Sequence, residues 1–176
     1  MGYGTNFLGH LEVTPPLNDA EADWLRAFAE IDRRHYSEPY DVAMNPRVVA
    51  KEDSRGARPP DGSTPDPFAS LSPRDGTPYP HLDWVPCHDG CCLLWKGGGR
   101  TRMTLEWLEY LTDHFLRPGA HAQGPGRPEF EHFTFDHQVN GMLAGERDDT
   151  GELFLIRARD NTFDVETLVP PRWYPW

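Results

Sequence analysis

Apolar positions change period along the chain, and each period predicts an element. Tyr3, Thr5, Phe7, Leu11 and Val13 fall on one side of an alternating run, with Asn6, His10 and Glu12 on the other, which predicts a half-buried strand from Tyr3 to Val13. Pro15-Pro16 ends it, because proline cannot donate to a sheet ladder. Trp24, Leu25, Phe28 and Ile31 then recur at helical spacing and predict an amphipathic helix over about Asp19 to Arg34. Asn18 is placed to cap it, with Glu21 three residues on to complete a capping box. Asp19, Glu21 and Asp23 in the first turn, and Arg33, Arg34 and His35 in the last, suit the helix dipole.

Trp84 to Cys87 and Cys91 to Lys96 are apolar runs around His88-Asp89-Gly90, the strongest hairpin signal in the chain. Thr104 is expected to cap a second helix, buried through Leu105, Trp107, Leu108, Leu111, Phe115 and Leu116, that stops at Arg117 before Pro118-Gly119. A flexible stretch from Pro118 to Pro128 leads to three strands, about His132 to Ala144, Glu152 to Arg159 and Phe163 to Val169. Turns at Asp148 to Gly151 and at Asp160-Asn161 join them. Adjacent hairpins imply antiparallel pairing. The predicted fold is therefore α+β: an antiparallel sheet of about six strands, two helices packed on one face, and a long irregular insertion after the first helix. The strand order does not follow from the pattern.

Residues 1–176 are expected to form a single α+β domain. Residues 37–80 are the irregular insertion, rich in proline and glycine, with seven prolines between Pro59 and Pro80 and no sustained period. Loops of that length inside compact domains are usually functional or disordered. Residues 170–176 form an aromatic tail.

Composition narrows the function. Hydrophobic residues make up 38% of the 176, enough for a core. Lys and Arg number 17 against 28 Asp and Glu, a net charge of −11, which argues against nonspecific nucleic-acid binding and against an anionic membrane surface. No apolar run is long enough to span a bilayer, and Met1 to His10 has no signal-peptide pattern. Three cysteines make no disulfide framework and point to a reducing, cytoplasmic setting.

The densest chemical cluster is His81, Asp83, Cys87, His88, Asp89, Cys91 and Cys92. Cysteine and histidine are zinc ligands, but a second ligand pair of matching spacing is missing, and Cys91 and Cys92 on one strand would face opposite ways. The expectation is no metal and no cofactor. His132, Asp136 and His137 form the second cluster and are the candidate acid–base residues. On a strand, His132, Thr134 and Asp136 would share a polar face, with His137 among Phe133, Phe135 and Val139 on the other. Gly97-Gly98-Gly99-Arg100 before a helix lacks the phosphate-loop pattern, and no nucleophile elbow is present. Phe68 and Tyr79 in the insertion, with Leu71, and Trp173, Tyr174 and Trp176 in the tail are candidate binding residues, since the domain does not obviously need them.

Trp84-Val85-Pro86, Asp89-Gly90, Trp95, Gly97-Gly98, Glu106 to Leu111, His114 to Leu116 and Pro118 together resemble a family of small uncharacterised phage and bacterial proteins with the pattern WVP…DG…W.GG…EWLEYL..HFL.P. Pro15 to Asn18, Asn140-Gly141 and Asp160-Asn161 are similar too. The resemblance implies no established activity and no catalytic residue. Where that family usually carries threonine this chain has Cys91 and Cys92, so it implies no role for the thiols.

The leading expectation is a non-catalytic cytosolic binding or accessory protein, a phage-type modulator of a protein partner. The alternative is a small enzyme or small-molecule-binding domain that uses the polar sheet face around Asp136 and His137.

Overall fold

The computed structural model describes residues 4–36, 38–42, 73, 75–98, 101–124 and 126–172. Phe68, Leu71, Trp173, Tyr174 and Trp176 lie outside the described residues.

Six antiparallel strands form one sheet: β1 Thr5–Thr14, β2 Trp84–Pro86, β3 Cys92–Trp95, β4 Gln138–Arg147, β5 Leu153–Arg159 and β6 Thr162–Val169, in the order β2-β3-β1-β4-β5-β6. The first strand in sequence is thus central, flanked by β3 and by β4, with which it pairs from Thr5↔Arg147 to Thr14↔Gln138. Alternation along β1 sends Phe7, Leu11 and Val13 into the core and leaves Leu8, His10 and Glu12 exposed on the opposite face. Two helices, α1 Asp19–Ala29 and α2 Thr104–Leu111, supply the covering layer, so the α+β class is as the pattern predicts. Leu25 and Phe28 of α1 and Trp107, Leu108 and Leu111 of α2 join Leu11, Trp84, Leu93, Val139, Leu143 and Ile156 of the sheet in one core.

The capping box forms as expected: Asn18 Oδ1 accepts from the Glu21 N–H at 3.0 Å and Glu21 Oε2 accepts from the Asn18 N–H at 2.8 Å. The helix, however, ends at Ala29 rather than Arg34. Arg33 therefore does not complement a dipole. It is fully buried in a 3-10 turn, its guanidinium 4.7 Å from the centres of the Phe28 and Tyr36 rings. It donates to Asp75 (2.7 Å) and to the carbonyls of Asp41 (2.8 Å) and Glu38 (2.9 Å). One side chain thus ties both ends of the insertion to the domain.

Thr104 is not the cap of α2. Met103 occupies that position in a left-handed conformation (φ 54°) without a side-chain cap bond, and Thr104 is the first helical residue. The helix continues as a π turn over Thr112–Leu116 and stops at Arg117, before Pro118. The stretch after it contains two short 3-10 turns, His121–Gln123 and Pro128–Phe130.

The expected strand from His132 begins only at Gln138. Residues 132–137 run irregularly, with Phe135 at φ 50°, yet burial still alternates: Phe133, Phe135 and His137 inward, His132, Thr134 and Asp136 outward.

Candidate functional site

His137 sits where β4 begins, beneath the start of α1, and its residue is 1% exposed. Both ring nitrogens face acceptors. Nδ1 lies 2.7 Å from the Pro15 carbonyl oxygen, which can only accept, and Nε2 lies 3.1 Å from Glu21 Oε1. Two N–H groups are needed to meet both, so the geometry favours a charged imidazolium, with the Thr134 hydroxyl also 3.1 Å from Nε2. Burial pushes the His137 pKa down, but the Glu21 carboxylate and the Pro15 carbonyl outweigh it, and the net shift is upward. Glu21 is likewise 1% exposed. Burial pushes its pKa up; the imidazole and the backbone N–H groups of Thr134 (2.6 Å) and Asn18 outweigh that and hold it below the usual carboxylate range.

Asp136 and His132, the other sequence candidates, do not complete an acid–base site. Asp136 is exposed and accepts from the Thr134 hydroxyl at 2.6 Å, with Oδ1 3.9 Å from His137 Nε2. His132 offers its backbone carbonyl to the Asn18 side chain (2.9 Å) while the residue is exposed. Because residues 132–136 lie outside the strand, the expected polar sheet face at these positions does not exist. The residue sequence reasoning missed as the partner of His137 is Glu21. Its capping role was legible from a three-residue spacing; its second role spans 116 residues and depends on the sheet order.

A cavity of about 520 Å³ opens between the start of α2 and the strands β5 and β6, with Arg102, Arg147, Glu106, Glu152, Phe154 and Val165 among its lining. A second, of about 350 Å³, lies by the 3-10 turns near Phe130 and Phe135. Neither is lined by His137, Asp136, His132 or Glu21.

The face of the sheet opposite the core presents a different surface. Leu94 on β3, Leu8 on β1, Met142 on β4, Leu153 on β5 and Leu168 on β6 are respectively 39%, 77%, 49%, 37% and 51% exposed. Cross-strand register places Leu8 opposite Ala144 and Ala144 opposite Leu155 in one apolar row, while Met142 stands between His10 and Arg157 in the next. Glu12, Glu146, Asp164 and Glu166 border them, with Arg157 paired to Glu166 at 2.6 Å. Of the expected binding residues, Tyr79 is the one described. It packs half-buried against the core, its ring 6.4 Å from that of His81, and so does not stand free as an anchor.

The third arrangement is at the β2–β3 hairpin. Cys91 precedes β3 instead of lying on it, so the opposite-facing rule for neighbouring strand residues does not apply. The sulfurs of Cys87, Cys91 and Cys92 all lie within 4.8 Å of one another, and Cys87 Sγ is 3.5 Å from Cys91 Sγ. Cys87 and Cys92 are half-buried and Cys91 is exposed.

No family model, curated protein or solved structure matches the chain. No helix among the described residues is long and apolar enough to cross a membrane.

Proposed function

We propose that this is a non-catalytic binding protein that takes up a protein partner on the open face of its sheet. The observation that carries the reading is the run of exposed Leu94, Leu8, Met142, Leu153 and Leu168 across five strands. An apolar surface of that kind, rimmed by charge, is characteristic of interaction sites. The rim is acidic, as is the chain at −11, so the partner that fits has an apolar centre and a lysine- or arginine-rich margin. A phage-type accessory or modulator, the role suggested by the sequence resemblance, acting in the cytoplasm, the setting suggested by the three cysteines, is part of the same proposal. His137 supports the reading from the other side. Its ring nitrogens are engaged by Pro15 and Glu21, and an acid–base catalyst needs a nitrogen within reach of substrate.

The test is site-specific photo-crosslinking in the producing cell, with the probe at position 8 or 142 on the open face or at the exposed Glu106 on the helical layer. The expected result is one discrete crosslinked protein from the open face only, lost when Met142→Glu is added while the melting temperature stays unchanged. Equal crosslinking from both faces, or none from positions 8 and 142, overturns the reading.

A further inference from the structure

The hairpin that carries the three cysteines is closed by its own backbone. The Cys87 N–H donates to the Cys92 carbonyl (2.8 Å), and the Gly90 N–H donates to the Cys87 carbonyl (3.2 Å). Gly90 takes φ 69°, and a Cβ there would strike the Leu17 carbonyl oxygen. The turn is docked as well as closed. Gly90 O accepts from the Leu17 N–H (3.0 Å), Cys91 O accepts from the Val13 N–H (2.8 Å), and Arg26 donates to the Cys87 carbonyl (2.7 Å). These bonds hold the backbone of all three cysteines against β1 and α1, so the fold sets the Cα–Cβ directions from which the sulfurs converge.

We propose that Cys87, Cys91 and Cys92 form a surface site for a thiophilic d10 cation, Zn²⁺ or Cu⁺, held by three thiolates. Tetrahedral zinc with Zn–S bonds of about 2.3 Å places its sulfurs about 3.8 Å apart, and the three sulfurs here already lie within 4.8 Å of one another. Thiolate is the donor that selects Cu⁺ and Zn²⁺ over harder ions. The Cys92 N–H donates to Cys87 Sγ (3.2 Å), an outer bond of the kind that orients and stabilises a ligating sulfur. Three protein ligands leave a fourth position, which the exposure of Cys91 turns toward solvent.

A cation at this site has to compete with protons. Burial pushes the Cys87 thiol up, but hydrogen bonds from the Cys92 and Cys91 thiols and from backbone N–H groups outweigh it, and its pKa is lowered. The hydrogen bond with Cys87 raises that of Cys91, and burial followed by the same neighbour pushes Cys92 to about 12. Cys87 is thus the thiol that gives up its proton most readily, and the ion must displace the protons of the thiols it binds. Each S–H bond lost becomes an S–metal bond, the proton goes to water and no electron moves.

The test uses the full chain, tag removed, stripped with chelator and kept reduced under anaerobic conditions. Co²⁺, as the probe for Zn²⁺, is expected to bind at about one ion per chain with a sulfur-to-cobalt charge-transfer band, to be displaced by Zn²⁺, and to bind more tightly as pH rises. A parallel titration with Cu⁺ against a chromophoric chelator decides which ion is preferred; tight binding of either at these thiols supports the site. Cys91→Ser, at an exposed position, is expected to weaken binding at least tenfold with the melting temperature unchanged. Cys92→Ser is expected to do the same to binding, and His132→Ala to leave it intact. Binding of neither ion, absence of the charge-transfer band, or undiminished affinity in both serine variants overturns the proposal.

Discussion

Glu21→Gln is the most informative single change, because it keeps the side-chain shape while removing the charge and one acceptor oxygen. Glu21 Oε1 accepts from the Thr134 N–H (2.6 Å) and His137 Nε2 (3.1 Å), while Oε2 accepts from the Asn18 N–H (2.8 Å). A glutamine has one acceptor oxygen. If it serves Thr134 and His137, its amide nitrogen faces the Asn18 N–H, donor against donor; if it is flipped, Thr134 and His137 lose their acceptor. Either way a buried donor is stranded, which costs about 1–3 kcal/mol. The imidazolium also loses its counter-charge, and truncating a buried ion pair typically costs about 3–5 kcal/mol. Because glutamine retains part of the hydrogen bonding, the expected loss is about 3 kcal/mol. At about 2–4 °C per kcal/mol for a chain of this size, that is a fall of roughly 6–12 °C in Tm.

The loss should also depend on pH in a definite direction. The folded-state pKa of His137 is raised above 6.5, so its contribution is fully present below that value and fades as pH rises through the raised one. Urea unfolding of both proteins at about pH 6 and about pH 9 is the assay. The stability gap should be wider at the lower pH. A gap below about 0.5 kcal/mol at both pH values, within the range of ordinary surface changes, would refute the buried ion pair. An equal large gap at both would refute the charged imidazole.

Further outcomes follow from the same contacts. Leu111→Ala removes a side chain that is 1% exposed in the core and should cost about 2–5 kcal/mol by urea denaturation. Gly90→Ala combines positive φ with a collision against the Leu17 backbone and should cost more than about 1 kcal/mol, visible as a lower Tm. His114 is held near pKa 4 by burial and by neighbouring His121, and its Nδ1 lies 2.7 Å from the Tyr40 hydroxyl. Since the unfolded imidazole protonates first, this group's contribution should fall as pH drops from 6.5 toward 4; an acid titration of unfolding free energy with and without Tyr40→Phe checks it.

The elements legible in the chain were those with local causes. Asn18 and Glu21 lie three residues apart and cap one another; Asp160 and Asn161 both take positive φ (46° and 68°) in the turn between β5 and β6, as that dipeptide predicts. Misjudged boundaries have long-range causes. Arg33 and Arg34 extend a plausible helical pattern, but the helix stops because Arg33 finds Asp75, 42 residues away, and burial of that pair outweighs one more helical turn. The run from His132 alternates like a strand, and its burial alternates too. Pairing with β1 nevertheless stops at Thr14↔Gln138, because Pro15 follows and has no N–H to continue the ladder.

That endpoint also decides the chemistry at His137. Asp136 and His137 face opposite ways, outward and inward, as alternation predicts, but on a strand His137 would meet only apolar neighbours. Freed from the ladder, the segment turns at Phe135, and the imidazole reaches the Pro15 carbonyl and the Glu21 carboxylate. The cysteines repeat the lesson on the other flank of β1. Period-two reasoning separates Cys91 from Cys92 only if both belong to β3; the strand begins one residue later, and the turn residue swings its sulfur toward Cys87 instead. At the hairpin a one-residue shift of strand boundary, set by a turn that docks on β1, converts side chains that alternation would disperse into a cluster; at His137 the facing holds and the partners change. Polar or thiol residues at the predicted ends of strands are therefore where facing rules are weakest and where converging groups should be sought first.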